Sequence, residues 1–322
     1  KLYEWPGHGV SHEREYQFVE DEYMKAEEYQ DLIDDPTAYF MGTYFPRIFG
    51  SLKPFSAFPL LPPVNEIPMV PSLAAAFGSE DLKAALAVLA KAGEEALRWR
   101  AAIRDIGLRI MGKGFPAFAG GFTKAPFDVI GDSLRGTQGV LLDMFRFPDE
   151  LKEACDRLVP SMVKSAVGAC KATGHLMPFM PLHKGADGFM SQEQFASFYW
   201  PSLRKLIIGL VNEGLVPQLF AEGAYNERLE IISDVPKGKV VWWFDRTDMR
   251  KAKETVGKSA CIAGNVPLDL LCTGTPEEVK TYCRELMDTA GPGGGFLFST
   301  GAGMQGSRKE NVKAMIEFSK EY

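Results

Sequence analysis

Cysteine and histidine are scarce in this 322-residue chain, which has five of the first and four of the second. The thiols (Cys155, Cys170, Cys261, Cys272, Cys283) are odd in number, scattered, and include no Cys-x-x-Cys pair. That argues against a disulfide framework and points to a reducing cytoplasm, with most thiols acting as small buried apolar groups. Imidazole chemistry has only His8, His12, His175 and His183 to draw on. No apolar run reaches the ~18 residues of a membrane-spanning helix, and the opening Lys1-Leu2-Tyr3-Glu4-Trp5-Pro6 lacks a signal-peptide layout. Basic runs are missing as well. The 36 Lys and Arg stand against 42 Asp and Glu, a net charge of −6, which provides no field to gather a phosphate backbone. Nucleic acid and membrane are therefore not expected partners. A dinucleotide fold is disfavoured too, because Gly293-Gly294-Gly295 precedes a strand-like run where a phosphate loop would follow one.

What is present suits a large α/β core: 46% of residues are hydrophobic and 24% charged. Residues 1–65 are acidic, aromatic and irregular, with helical patches between Glu13 and Asp35 that include Tyr16–Glu20. The prolines crowded between Pro54 and Pro71 forbid a long helix there. This part is expected to wrap a second domain over residues 66–322. Within that domain a strong helix is predicted from Ser79 to Arg104. Five units then alternate a short apolar run with an amphipathic helical stretch. The runs are Met177–Leu182, Leu215–Phe220, Lys239–Phe244, Ala260–Ala263 and Gly295–Phe298. Such alternation calls for a parallel sheet with right-handed crossovers, and eight units closed as a TIM-type (β/α)8 barrel fit the length.

Barrels of this kind carry their chemistry at the C-terminal ends of the strands. Reading the residue at each end gives His183, Glu222, Asp245, Asn265 and Ser299. Converging carboxylates with one imidazole suit general acid–base work or a metal site. His183 could equally be a structural, hydrogen-bonded histidine, and Asp245 a helix cap or a partner of Arg246. Glu222 stands out, because an acid directly after Leu219-Phe220-Ala221 is costly to place without a partner. Cys261 lies on the same strand as Asn265 and could face the same interior, although core packing is the simpler reading. The loop Lys124–Gly136 offers Arg135 as an anchor for a carboxylate. Asp187, Phe220 and Trp243 complete the candidate substrate contacts.

Several of these segments also carry a family pattern. Asp245-Arg246-Thr247-Asp248, Ile262-Ala263-Gly264-Asn265-Val266-Pro267, Gly274-Thr275-Pro276-Glu277-Glu278-Val279 and Gly294-Gly295-Phe296-Leu297 occur in an order and spacing that resemble the uroporphyrinogen decarboxylase superfamily. The resemblance covers roughly residues 115–322 and implies a TIM-type barrel with one of two chemistries. One removes acetate carboxylates from a tetrapyrrole without a cofactor. The other moves methyl groups to or from a cobalamin, often held on a partner protein. The decarboxylases carry an Arg-rich N-terminal signature and a late Gly-His-Gly; here the first is absent and the second reads Gly301-Ala302-Gly303. The thiol methyltransferases hold zinc with a His-x-Cys and a late Cys; here the strand end reads Phe220-Ala221-Glu222 and the late position is Ala302.

The resemblance thus favours a corrinoid-linked methyltransferase or demethylase of anaerobic one-carbon metabolism. It would take methyl from a small donor, such as an aryl methyl ether, to a cobalamin on a corrinoid protein. Glu222, His183, Asp245 and Asn265 are the catalytic candidates. Zinc, lacking its usual motif, would need His183 and Glu222 with Asp187 or Cys261 as a third ligand. A cofactor-independent decarboxylase and a non-catalytic corrinoid- or tetrapyrrole-binding protein remain the alternatives, and a homodimer is compatible with all three.

Overall fold

The computed structural model describes residues 2–13, 15–57 and 70–322. Their contacts define two compact units, residues 1–118 with 130–157 and residues 119–129 with 158–322. The division expected at residue 65 lies outside the described residues, as do the prolines from Pro59 to Pro68. The units found here divide at other points. Among the described residues no helix is long and apolar enough to cross a membrane.

In the first unit, β1 (Tyr3–Pro6) pairs in parallel with β2 (Gly9–Val10) and antiparallel with β3 (Gln17–Phe18). Within the helical patch expected at Tyr16–Glu20, Gln17–Phe18 is therefore strand and the rest is not helical. Tyr3 sits opposite Phe18 with ring centroids 5.7 Å apart, and Tyr16 meets Tyr3 edge-on at 5.3 Å. Cross-strand aromatic pairs of this kind outweigh a weak local helix preference. The predicted helix beginning at Ser79 is present and continues past Arg104 to Met111. It starts there because the Ser79 hydroxyl accepts the Leu82 N–H.

The second unit holds six parallel strands: β4 (Gly121–Phe122), β5 (Pro178–Leu182), β6 (Gln218–Ala221), β7 (Val241–Phe244), β8 (Cys261–Val266) and β9 (Phe296–Thr300). They pair in chain order, with helices such as Trp200–Asn212, Pro276–Ala290 and Lys309–Glu321 among the connections and at the end. Five strands arise from the five apolar runs; β4 is too short to show a pattern. Six strands, not the expected eight, are found among the described residues.

Alternation along the strands sorts their two faces. Met180, Leu182, Leu219, Ala221, Trp242, Phe244 and Ile262 are buried on one face. Helix residues Leu203, Leu206 and Ile207 are buried too, and Trp200 lies 6.4 Å from Trp242, so this face packs on the covering helices. The other face carries Pro181, Phe220, Trp243, Ala263 and Leu297, which the register aligns in one row.

Candidate active site

Two residues further along each strand, on the face of that row, come His183, Glu222, Asp245, Asn265 and Ser299. The register confirms the alignment where it extends that far, pairing Asn265 with Ser299. All five strand-end candidates therefore share one rim of one sheet face. His183 Nε2 lies 3.5 Å from Glu222 Oε1, and their side chains are 37% and 43% exposed. Burial pushes the Glu222 carboxyl above its ordinary range; His183 and Lys124 oppose the shift, while Asp128 and Asp245 add to it. A carboxyl that keeps its proton closer to neutral pH is suited to donate it. Below the pair lies an aromatic floor. Phe179 and Phe220 stack at 6.1 Å, and Trp243 meets Phe220 at 4.8 Å.

Asp128, which the sequence did not single out, underlies the pair. It is fully buried, on the short Pro126–Asp128 helix. Its Oδ2 accepts the His183 backbone N–H at 2.9 Å and the Tyr199 hydroxyl at 2.8 Å, and its Oδ1 accepts the Lys184 N–H at 3.0 Å. One carboxylate thus secures the turn from which His183 projects. The local signal was present in Lys124-Ala125-Pro126-Phe127-Asp128, but the aspartate is indistinguishable there from a solvated loop acid until its partners from residues 183–199 are known.

A second tie joins the loops after β5 and β6. Arg228 is fully buried, donates to the Met190 carbonyl at 2.6 Å and the Gly185 carbonyl at 3.3 Å, and lies over the Phe195 ring at 4.9 Å. Asp187 faces it at 3.6 Å, accepts the Glu227 N–H at 3.2 Å and donates its own N–H to the Ala224 carbonyl at 2.7 Å. These links hold the His183 loop to the Glu222 loop.

The remaining candidates fare differently. The Asn265 side chain donates to the Asp245 and Thr247 carbonyls and accepts from the Tyr282 hydroxyl, so its polar atoms shape the loop. Asp245 accepts the Gly223 N–H at 3.0 Å and stays beside Glu222 as a source of negative potential. Trp243 donates its indole N–H to the Thr300 carbonyl at 2.7 Å, fixing the ring in the floor with Phe220. Ser299 is partly exposed on the rim. Asp187 is engaged by the loop clip described above, a structural place for an expected substrate contact.

Two expectations are corrected by position. Cys261 opens β8 and pairs with Val241, which itself pairs with Gln218. It therefore lies four residues below the Glu222 level, about 13 Å at about 3.3 Å per residue, and cannot share a metal with that carboxylate. Among the described residues no three His, Cys, Asp or Glu groups stand together as a metal site. Arg135 belongs to the first unit and is 5% exposed. It is held by Asp143 at 2.5 Å, by Glu22 and by the Met24 carbonyl at 2.6 Å, so its guanidinium is spent inside that unit.

The uroporphyrinogen decarboxylase (URO-D) family profile matches residues 102–322. The chain belongs to this family. Its fold is the TIM-type barrel, of which the six parallel strands form part. Among curated relatives, uroporphyrinogen decarboxylases from Sodalis glossinidius and Neisseria meningitidis are each 26% identical, over 210 and 212 residues. Those alignments cover 63% and 62% of this chain but 57% and 58% of the relatives, so the chain spans little more than half their length. Among solved structures, a methyltransferase from Methanosarcina mazei superposes with a TM-score of 0.53 at 21% identity, covering 62% of this chain and 58% of that one. That likeness speaks for the shared fold.

Proposed function

We propose that this enzyme transfers a methyl group from a small methylated donor to a corrinoid carried by a partner protein. The observation that carries the reading is Glu222: a half-buried carboxyl, raised above its ordinary range, 3.5 Å from an imidazole over an aromatic floor. Such a group can protonate a heteroatom as its bond to methyl breaks, turning a poor leaving group into a neutral one. His183 orients the carboxyl and returns the proton between turnovers. Phe179, Phe220 and Trp243 offer a flat apolar bed that suits an aryl methyl ether.

Charge supports the same choice. Glu222, Asp128 and Asp245 are close enough to interact, with Lys124 and His183 as the opposing positive groups. That setting favours an uncharged or cationic donor over a polycarboxylate. The names of the curated relatives favour a second reading, decarboxylation of a tetrapyrrole or another acid.

The exposed edges of His183 and Glu222 leave the rim open to an acceptor presented from outside. A corrinoid bound there would supply the nucleophile. Zinc does not fit the donor set, since His183 and Glu222 stand without a third ligand in reach among the described residues, and no step is derived through it.

The test is a methyl-transfer assay with methylated aryl ethers and a reduced corrinoid protein, alongside a uroporphyrinogen decarboxylation assay. Transfer by the parent that collapses in Glu222→Ala supports the reading. Full transfer by Glu222→Ala refutes the role of Glu222, and decarboxylation without transfer establishes the second reading.

A further inference from the structure

Gln218 opens β6, two residues before Phe220 and four before Glu222, so alternation puts all three on the same face of the sheet. Register sets it between Phe179 and Val241, with Cys261 next in that row. It is 9% exposed, and among the described residues no group hydrogen-bonds its carboxamide. That is unusual, because a buried amide that gives up water without gaining a partner is costly and most are paired. A methionine would fill the same place among Phe179, Phe220 and Val241 without that cost. The carboxamide carries two N–H donors and one carbonyl acceptor, and a ligand can supply the partner that the fold does not.

Space and length say which ligand. Phe179, Phe220, Trp243 and Cys261 are each partly exposed, so the face is open from the level of Gln218 up to the rim. The strand from Gln218 to Glu222 rises about 13 Å at about 3.3 Å per residue. A hydrogen bond at each end takes up about 2.8 Å, leaving about 7 Å between them. One aromatic ring with heteroatoms on opposite carbons fills that length, and a meta arrangement is too short and bent to reach both ends. The stacked rings of Phe179 and Phe220, with Trp243 against Phe220, flank the same path. Because the neighbours of Gln218 are largely apolar, the far substituent must be uncharged.

We propose that Gln218 determines specificity: it hydrogen-bonds a hydroxyl or carbonyl on the ring carbon opposite the methyl ether and so sets the ether oxygen at Glu222. This rests on the methyl-transfer reading and names its donor as a para-substituted aryl methyl ether.

Binding is measured first, by quenching of tryptophan fluorescence, with para-methoxyphenol, meta-methoxyphenol and para-methylanisole as probes and no corrinoid present. The parent should bind para-methoxyphenol about 10-fold more tightly than the other two, as one neutral hydrogen bond allows. Gln218→Met, similar in length and apolar, should bind all three alike. Its melting midpoint should equal or exceed that of the parent, since no bond inside the fold is lost. Equal affinity of the parent for the three probes, no binding of any, a preference that survives in Gln218→Met, or a lowered midpoint in that variant would overturn the proposal. Methyl transfer to a reduced corrinoid protein is then measured with the same ethers. A parent that prefers para-methoxyphenol in binding yet transfers no methyl refutes the reaction and upholds the subsite. Transfer from all three ethers with equal kcat/KM upholds the reaction and overturns the subsite.

Discussion

Asp128→Ala removes one acceptor from three donors at once: the backbone N–H groups of His183 and Lys184 and the Tyr199 hydroxyl. The site is dry, with Asp128 and Tyr199 both at 0% exposure, so water does not readily replace the carboxylate. Each orphaned buried donor costs about 1–3 kcal/mol. Tyr199 can turn its hydroxyl, and losses at one point share a common relaxation, so the three combine to about 3–5 kcal/mol. At about 2 °C per kcal/mol for a chain of this size, the unfolding midpoint falls by about 6–10 °C. Thermal unfolding followed by tryptophan fluorescence reads this change directly, because Trp200 and Trp242 are buried in the same unit. Asp128→Asn keeps the shape but offers an acceptor to only one side, and should lose about half as much. A change within about 0.5 kcal/mol for Asp128→Ala, the range of ordinary surface substitutions, would refute the role given to this carboxylate.

Three further outcomes are expected. Glu222→Gln should raise stability at neutral pH while removing activity. A carboxyl with a raised folded value contributes stability at low pH and loses it as pH climbs through that value, so the advantage of Gln should vanish under acid; melting curves at several pH values check the sign. Arg228→Met should cost about 2–4 kcal/mol, since it leaves the Met190 and Gly185 carbonyls without their donor and gives up the contact with Phe195; denaturant unfolding measures it. Gly264→Ala should destabilise by about 2 kcal/mol or more, because φ is +113° and an added Cβ would lie 2.4 Å from the Phe244 carbonyl oxygen. Its far-UV spectrum and melting midpoint would show the loss.

The strand-to-helix rhythm of residues 177–320 was legible in the sequence because its causes are local. Apolar runs such as Lys239–Phe244 end at polar residues, and Thr275-Pro276-Glu277-Glu278 carries its own helix cap, realised as Thr275 accepting the Glu278 N–H and Glu278 answering at the Thr275 N–H. The same local signals placed His183, Glu222, Asp245, Asn265 and Ser299 at strand ends, since side-chain alternation needs no knowledge of the neighbours.

Other features depended on partners far away in the chain, and only the tertiary structure decided them. Register set Cys261 level with Val241 and Gln218, four residues below Glu222. Long-range donors turned Asp128 into the support of the His183 turn, and Asp143 with Glu22 withdrew Arg135 from chemistry. Glu222 was conspicuous in the sequence, yet its raised carboxyl is a property of burial and of charges on three other segments. Periodicity belongs to a segment and can be read from it, whereas exposure, pairing and proton affinity belong to distances that only folding creates.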